Sequence, residues 1–239
     1  LSSALVFLVN LMAGDGAHGW RLSWIGSAAI AFLGLLIVAP LLPRPVRGAT
    51  RVQEPPLPWR RPLVLMTLSY GLFGFGYVIT ATFLVTIART TDAGPVVEFL
   101  AWFVTGTAAA LSLLAWRLLV RRVGATATYA ACIALEAVGV LGSVLLPPMA
   151  GALVGGLFLG LTFMAVTAYG LQIGRTLAPE SPRRALAFMT AAFGTGQIAG
   201  PLAAGWLAEG SGSFTLPTVL AAAALTVSAL LVVPILRKA

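Results

Sequence analysis

Glu136 is the one ionisable residue that lies well inside a long apolar stretch of this sequence. Together with Tyr129, Cys132, Gly139 and Ser143 it forms a stripe at steps of three and four residues, which is the spacing of one helix face. A carboxyl group in such surroundings is a candidate for proton coupling. The alternative is a protonated Glu that hydrogen-bonds a neighbouring helix. This alternative is favoured because no Arg, Lys or His lies well inside any apolar stretch to pair with it.

A second stripe combines hydroxyl and aromatic side chains with glycine. Tyr70, Gly74 and Tyr77 share one helix face at steps of four and three residues, and Thr80 continues that face. Tyrosine hydroxyls can hydrogen-bond a ligand, and glycine lets a neighbouring helix approach closely. The stripe therefore predicts a helix that lines a ligand cavity. Hydrogen bonds between helices and small-residue packing, both common in membranes, are the alternative.

Polar and small residues also recur between residues 184 and 208. Gln197 shares a helix face with Gly194 and Pro201, and it is a candidate polar contact for a ligand. Proline inside a helix removes one backbone hydrogen bond, so Gly200 and Pro201 form a candidate hinge. A static kink that fits the neighbouring helices is the alternative. The small residues on the adjacent faces are Gly196, Gly200 and Gly205.

The elements that hold these residues must lie in a membrane. The chain has 239 residues, of which 59% are hydrophobic and 9% are charged. A soluble domain carries about 25% charged residues. This composition excludes a soluble enzyme, a disordered regulator or a DNA-binding domain as the whole protein. We expect no cofactor and no metal, because the sequence holds one cysteine, no phosphate loop and no spacing typical of metal ligands.

Long apolar runs predict an all-α membrane protein with one partial and seven full transmembrane helices. A helix needs roughly 20 apolar residues to cross the hydrocarbon core, and backbone groups there must be hydrogen-bonded within the segment. The runs do not alternate in polarity as the strands of a β-barrel do. The partial helix covers residues 1–13, and the full helices cover residues 20–42, 62–88, 97–119, 125–146, 149–174, 184–208 and 214–236.

Arginine residues alternate between the connections of these predicted helices. The basic connections carry Arg44, Arg47, Arg51, Arg60 and Arg61, then Arg117, Arg121 and Arg122, then Arg175, Arg183 and Arg184, and finally Arg237 and Lys238. The connections that alternate with these hold only two basic residues, Arg21 and Arg89. The positive-inside rule therefore places the basic connections and the C-terminus in the cytoplasm. The basic residues behind the net charge of +8 are thus explained by the membrane topology, and they do not indicate a nucleic-acid partner.

Three segments carry a resemblance to a known family. They are YGLFGFGYVITATFL at 70–84, AFGTGQIAGPLAAG at 192–205 and Gly-Trp-Arg at 19–21. On these segments the whole chain resembles the major facilitator superfamily, and specifically its YbfB/YjiJ-like branch of bacterial transporters. The first two segments are the specific part, because Gly-Trp-Arg is common across the superfamily.

The resemblance implies a fold and a division of the chain. The predicted helices correspond to helices five (partial) to twelve of a twelve-helix protein, so helices one to four would be missing. Residues 1–42 are then the end of the N-terminal bundle, residues 43–61 a cytoplasmic linker rich in Pro and Arg, and residues 62–239 the C-terminal bundle of six helices. Six helices are the natural unit of a transporter half.

The resemblance also implies roles for particular helices. It implies that residues 149–174 line the cavity, which makes Thr162, Tyr169 and Gln172 further candidates on one helix face. It implies that the helix of Glu136 is peripheral and supporting. The superfamily's cytoplasmic gating motif is matched only in part, because Arg121 stands at its acidic position.

These expectations combine into a secondary active transporter of a bacterial inner (plasma) membrane that works by alternating access and is coupled to protons. The substrate is a small organic solute, neutral or weakly polar, because the candidate lining is aromatic, hydroxyl and amide without fixed positive charge. The complete protein is expected to be a monomer in the lipid bilayer and not an enzyme. Because Leu1 lies inside an apolar run, the chain is expected to be a fragment. The alternative is a truncated remnant without transport, or a half-transporter that needs a partner.

Overall fold

The computed structural model describes residues 4, 8, 9, 19–42, 53–89 and 94–236. Within these ranges the helices are α1 (Gly19–Val38), α2 (Arg61–Arg89), α3 (Gly94–Leu145), α4 (Pro148–Leu177), α5 (Pro182–Ser211) and α6 (Thr215–Leu236). A 3-10 turn, Ala39–Leu41, follows α1. The described residues contain no strand, which confirms the all-α class. Most of the predicted partial helix, residues 1–13, lies outside the described residues.

The chain divides into two compact units, Leu1–Gln53 and Glu54–Ala239. The first unit holds α1, an apolar helix whose larger side chains are mostly exposed. The second unit holds α2 to α6 and the main buried core. It begins inside the predicted linker, of which residues 43–52 lie outside the described part of the chain.

Five of the described helical segments are long and apolar enough to cross a membrane, which agrees with an integral membrane protein. They are Trp20–Leu41, Arg61–Thr82, Val96–Leu145, Pro148–Leu177 and Thr215–Leu236. The predicted count of helices differs from this for two reasons. Two predicted helices fall within the single 50-residue segment Val96–Leu145, and α5 is not among the five. Glycines, threonines and Gln197 lower the hydropathy of α5.

Gly124 divides α3 into two helical stretches, residues 94–123 and 125–145. Its φ of 83° and ψ of 170° lie outside the helical region, and such a positive φ is open to glycine at no steric cost. The prediction of two helices here is therefore supported, but no loop separates them. The first stretch extends past its predicted end at residue 119, because Arg121 and Arg122 are good helix formers that continue it.

Helices α2 and α5 touch through their backbones at glycine. A Cβ added at Gly74 would lie 2.5 Å from the carbonyl oxygen of Phe193. A Cβ at Gly196 would collide with the carbonyl oxygen of Gly71 and lie 2.7 Å from the backbone nitrogen of Phe75. Real side chains do not fit at these distances. Glycine is therefore what allows this close helix–helix approach, as small residues do in membrane proteins generally.

The candidate hinge at Gly200 and Pro201 lies inside an unbroken α5. A Cβ at Gly200 would lie 2.6 Å from the carbonyl oxygen of Phe75, so this part of α5 is also held against α2. Such contacts agree with a static kink, and a hinge here stays a prediction. Gly194 and Gly205 differ from these residues, since a Cβ at either would meet no atom within 4 Å.

The segment before α2 is joined to the start of α5 by ionic contacts. The Glu54 carboxylate accepts hydrogen bonds from the backbone N–H groups of Arg183 and Arg184, at 3.1 and 3.2 Å. Arg60 pairs with Glu180 at 2.9 Å. Two of the predicted basic connections, the one before α2 and the one between α4 and α5, therefore meet at one end of the bundle.

Glu54→Ala is expected to lower the free energy of unfolding by about 1 kcal/mol, because it leaves the first N–H groups of α5 without their acceptor. A carboxylate is also favoured at the positive end of a helix. Glu180→Ala is the matched control, since the Glu180 carboxylate is more exposed than that of Glu54 and its ion pair with Arg60 is worth about 0.5 kcal/mol or less. Unfolding of the two detergent-solubilised variants measures the loss of unfolding free energy in each. Equal losses would contradict the capping role of Glu54.

Candidate functional site

Glu136 lies near the middle of the second stretch of α3, and its side chain is fully buried. The other members of its stripe, Tyr129, Cys132, Gly139 and Ser143, are buried as well. Part of the stripe faces α4, because Gly139 packs against Phe158 and the carbonyl oxygen of Ser143 lies beside Gly151. The polar face of this helix therefore points into the bundle, as its pattern predicts.

The Glu136 carboxyl has one hydrogen-bond partner among the described residues. Its Oε2 lies 2.7 Å from Thr162 Oγ1, whereas its Oε1 has no partner there. Thr162 Oγ1 also lies 2.7 Å from the carbonyl oxygen of Phe158, the usual bond of a threonine to its own helix. A hydroxyl has only one proton to donate. If Thr162 donates it to Phe158, the carboxyl must supply the proton of the other bond, and Glu136 is then a neutral acid.

The surroundings of Glu136 favour the same protonation state. In the part of the chain that the structure describes, no basic side chain forms an ion pair with it. Burying an ionised carboxylate without a cation or a full set of hydrogen bonds costs much free energy. The arrangement can therefore hold a proton while it is closed. Loss of the proton would require water or a cation to reach the carboxyl.

Five aromatic rings form a cluster between α2, α4 and α5. They belong to Tyr70, Phe73, Tyr77, Phe163 and Phe193. The Tyr77 ring lies 4.9 Å from Phe163 and 5.5 Å from Phe193, measured between centroids. Such aromatic contacts add about 0.5–1.5 kcal/mol each beyond the area they bury. The cluster fixes the orientation of Tyr70 and Tyr77, the two tyrosines of the predicted cavity stripe.

Tyr77 connects the aromatic cluster to two other predicted residues. Its hydroxyl oxygen accepts a hydrogen bond from Gln197 Nε2 of α5. Its ring packs against Phe163, the residue that follows Thr162 on α4, and Thr162 in turn bonds Glu136. The structure therefore brings together side chains that the sequence places on four different helices. These side chains are Tyr70, Tyr77, Glu136, Thr162 and Gln197.

The remaining predicted cavity residues, Thr80, Tyr169 and Gln172, differ in how deeply they are buried. Thr80 is buried and its Oγ1 has no hydrogen-bond partner among the described residues. Tyr169 is buried. Gln172 is exposed. The face that joins Thr162 to Gln172 is therefore buried at Thr162 and Tyr169 but exposed at Gln172.

Sequence reasoning missed a second polar cluster, which joins α2, α3 and α6. Ser69 Oγ lies 3.1 Å from the Tyr129 hydroxyl and 3.0 Å from Ser228 Oγ. Ser228 Oγ also donates to the carbonyl oxygen of Ser69 at 2.7 Å. The available signal was a single serine inside each of two very apolar helices, since a buried hydroxyl needs a partner. Ser69, Tyr129 and Ser228 hold three helices together near the end of the bundle that carries Arg60.

Comparison with known proteins identifies a family. A family model described as "Uncharacterised MFS-type transporter YbfB", in which MFS stands for major facilitator superfamily, matches residues 1–233. No curated protein matches the chain. The matched range covers nearly all of both compact units, including the segments 70–84 and 192–205.

Proposed function

The chain belongs to the YbfB branch of the major facilitator superfamily of membrane transporters, and we propose that it serves proton-coupled secondary transport of a small organic solute by alternating access. Membership of the family itself implies membrane transport, a small-molecule substrate and a lipid bilayer around the protein. Members of the family are generally not enzymes. The coupling ion, the mechanism and the class of solute are the proposed parts.

The burial of Glu136 beside Thr162 is the observation that carries proton coupling. The closed arrangement accepts a neutral carboxyl and disfavours an ionised one, because no cation contacts it within the described residues. Opening to water on either side of the membrane would let the proton exchange. Closing would then require a bound proton, and this requirement links the conformational change to a proton gradient.

The aromatic cluster supports a neutral or weakly polar solute. Its groups are ring faces, the hydroxyls of Tyr70 and Tyr77, and the Gln197 amide. No fixed positive charge lies among them in the described part of the chain. Thr80 adds a buried hydroxyl whose hydrogen-bonding capacity is unused by the described residues. A solute with a few polar groups and an apolar body would match this lining better than a strongly anionic one.

Tyr77→Phe is expected to raise the KM of transport about tenfold, because it removes the hydroxyl that Gln197 holds in place and leaves the Gln197 amide unsatisfied. The assay is uptake of a panel of small neutral solutes into proteoliposomes with an imposed pH gradient. The matched control is Tyr129→Phe, which removes the same hydroxyl from a buried tyrosine outside the aromatic cluster.

Tyr129→Phe should lower the melting temperature and leave the KM near its original value. A KM that changes equally in both variants would remove the support for a solute site at Tyr77. Absence of flux for every solute tested, with the complete gene product, would overturn the transport proposal.

The alternative proposal is a half-transporter that needs a partner. It is supported by the second unit, Glu54–Ala239, which has its own main core and holds a bundle of the size of a transporter half. In either case we propose that the protein is an inner-membrane protein of a bacterium, with the linker and the C-terminus in the cytoplasm. The end of the bundle that carries Arg60 and Arg183 is then the cytoplasmic end.

A further inference from the structure

A small cavity of about 90 Å³ lies where α2 begins and α6 ends. It is lined by Arg61, Pro62 and Leu65 of α2 and by Pro234 and Ile235 of α6. One charged side chain therefore borders a surface that is otherwise apolar. The cavity lies outside the aromatic cluster and the Glu136 site, and transport as proposed does not use it.

The level of this cavity in the membrane is indicated by Trp59. Trp59 is half-exposed and packs edge-on against Phe188, with 5.0 Å between the ring centroids. Tryptophan is enriched at the boundary between lipid and water. Arg61 follows two residues later and so lies close to the headgroup level. Leu65 lies one helical turn deeper, about 6 Å into the apolar region.

Arg60 and Arg61 differ in whether their side chains form an ion pair. Arg60 pairs with Glu180 at 2.9 Å. Among the described residues Arg61 has no ion pair, so its positive charge is available to a ligand. Of the two adjacent arginines, Arg61 is therefore the one whose charge borders the cavity and is not engaged in an ion pair within the described residues.

We propose that this cavity binds an anionic phospholipid, with the lipid phosphate at Arg61 and the upper part of an acyl chain against Leu65 and Ile235. The charge complementarity selects an anion, and the apolar floor selects one that carries a hydrocarbon chain. Basic pockets between transmembrane helices at the cytoplasmic surface bind anionic headgroups in this manner. A free phosphate would gain nothing from the apolar floor.

The test uses native mass spectrometry of the full chain with added phosphatidylglycerol or phosphatidylcholine. Arg61→Gln is expected to weaken phosphatidylglycerol binding about fivefold, and to leave phosphatidylcholine binding unchanged. Arg60→Gln is the matched control, because it removes the same charge from the adjacent residue, which Glu180 already engages. It should leave phosphatidylglycerol binding within about twofold of the original. Equal weakening by both variants would mean a diffuse attraction and would overturn the site.

Leu65→Trp tests the apolar half of the site and should reduce phosphatidylglycerol binding while Arg61 is retained. Unchanged binding in a folded Leu65→Trp variant would overturn the placement of the acyl chain. Glycerol 3-phosphate at millimolar concentration distinguishes a lipid from a free phosphate. Displacement of the phospholipid by it would show that the headgroup alone is bound, which contradicts the proposal. If Leu65→Trp lowers the melting temperature, the comparison of the two arginine variants decides the question.

Discussion

Glu136→Gln is expected to preserve folding and to abolish the dependence of transport on a pH gradient. Gln has nearly the same size, and it can accept from the Thr162 hydroxyl through its amide oxygen or donate to Thr162 Oγ1 through its amide nitrogen, as a protonated acid could. It cannot release a proton. A gradient of one pH unit supplies about 1.4 kcal/mol per proton, which drives about tenfold accumulation of the solute. The variant should show no accumulation above the level reached without a gradient.

Proteoliposomes prepared with and without the pH gradient measure this directly. Glu209→Gln is the control, because Glu209 is an exposed carboxylate near the last residue of α5, at the end of the bundle opposite Arg60. It should retain the full response to the gradient. If Glu136→Gln also retains it, Glu136 is a structural acid that bonds Thr162 for packing, and proton coupling must reside elsewhere.

Gly196→Ala is expected to lower the free energy of unfolding by about 3 kcal/mol, the upper part of the range for overpacking. The added Cβ would meet the Gly71 carbonyl oxygen and the Phe75 nitrogen, which are backbone atoms and cannot rotate away. Helices α2 and α5 would have to separate. The Tyr77–Gln197 hydrogen bond, which spans the same pair of helices, would then lengthen or break.

Gly194→Ala provides a control on the same helix, two residues away. A Cβ there meets no atom within 4 Å, so the substitution should be neutral or stabilise the helix by up to about 1 kcal/mol. Thermal unfolding in detergent, followed by circular dichroism, compares the two variants. Similar melting temperatures for Gly196→Ala and Gly194→Ala would contradict the close approach of α2 and α5.

Helical periodicity predicted which face of a helix is buried, but not what that face meets. The stripe of Glu136 is buried as its spacing indicates, because a polar face in an apolar helix has only the bundle to turn to. Its partner Thr162 was predicted as a cavity residue and not as a partner of Glu136. The reason is physical: spacing along one helix contains no information about the rotation of its neighbour.

Two features could not be derived from single residues. The pairing of Ser69 with Ser228 joins positions 159 residues apart, and only the packing of α2 against α6 brings them together. The aromatic cluster likewise needs rings from three helices. Gln172 shares a helical face with Thr162 but is exposed, and its part in a cavity stays a prediction.

The single-residue joint at Gly124 has a consequence for the carboxyl in the middle of the bundle. Glu136 follows Gly124 by twelve residues, which is about 18 Å of helix, and the hydrocarbon core is about 30 Å thick. Because no loop separates the two stretches, the distance between Gly124 and Glu136 is fixed by the rise of the helix. One residue inserted between them would turn Glu136 by about 100° and carry it away from Thr162. Both the position and the direction of the Glu136 carboxyl within the bundle are therefore set by where Gly124 stands in the chain.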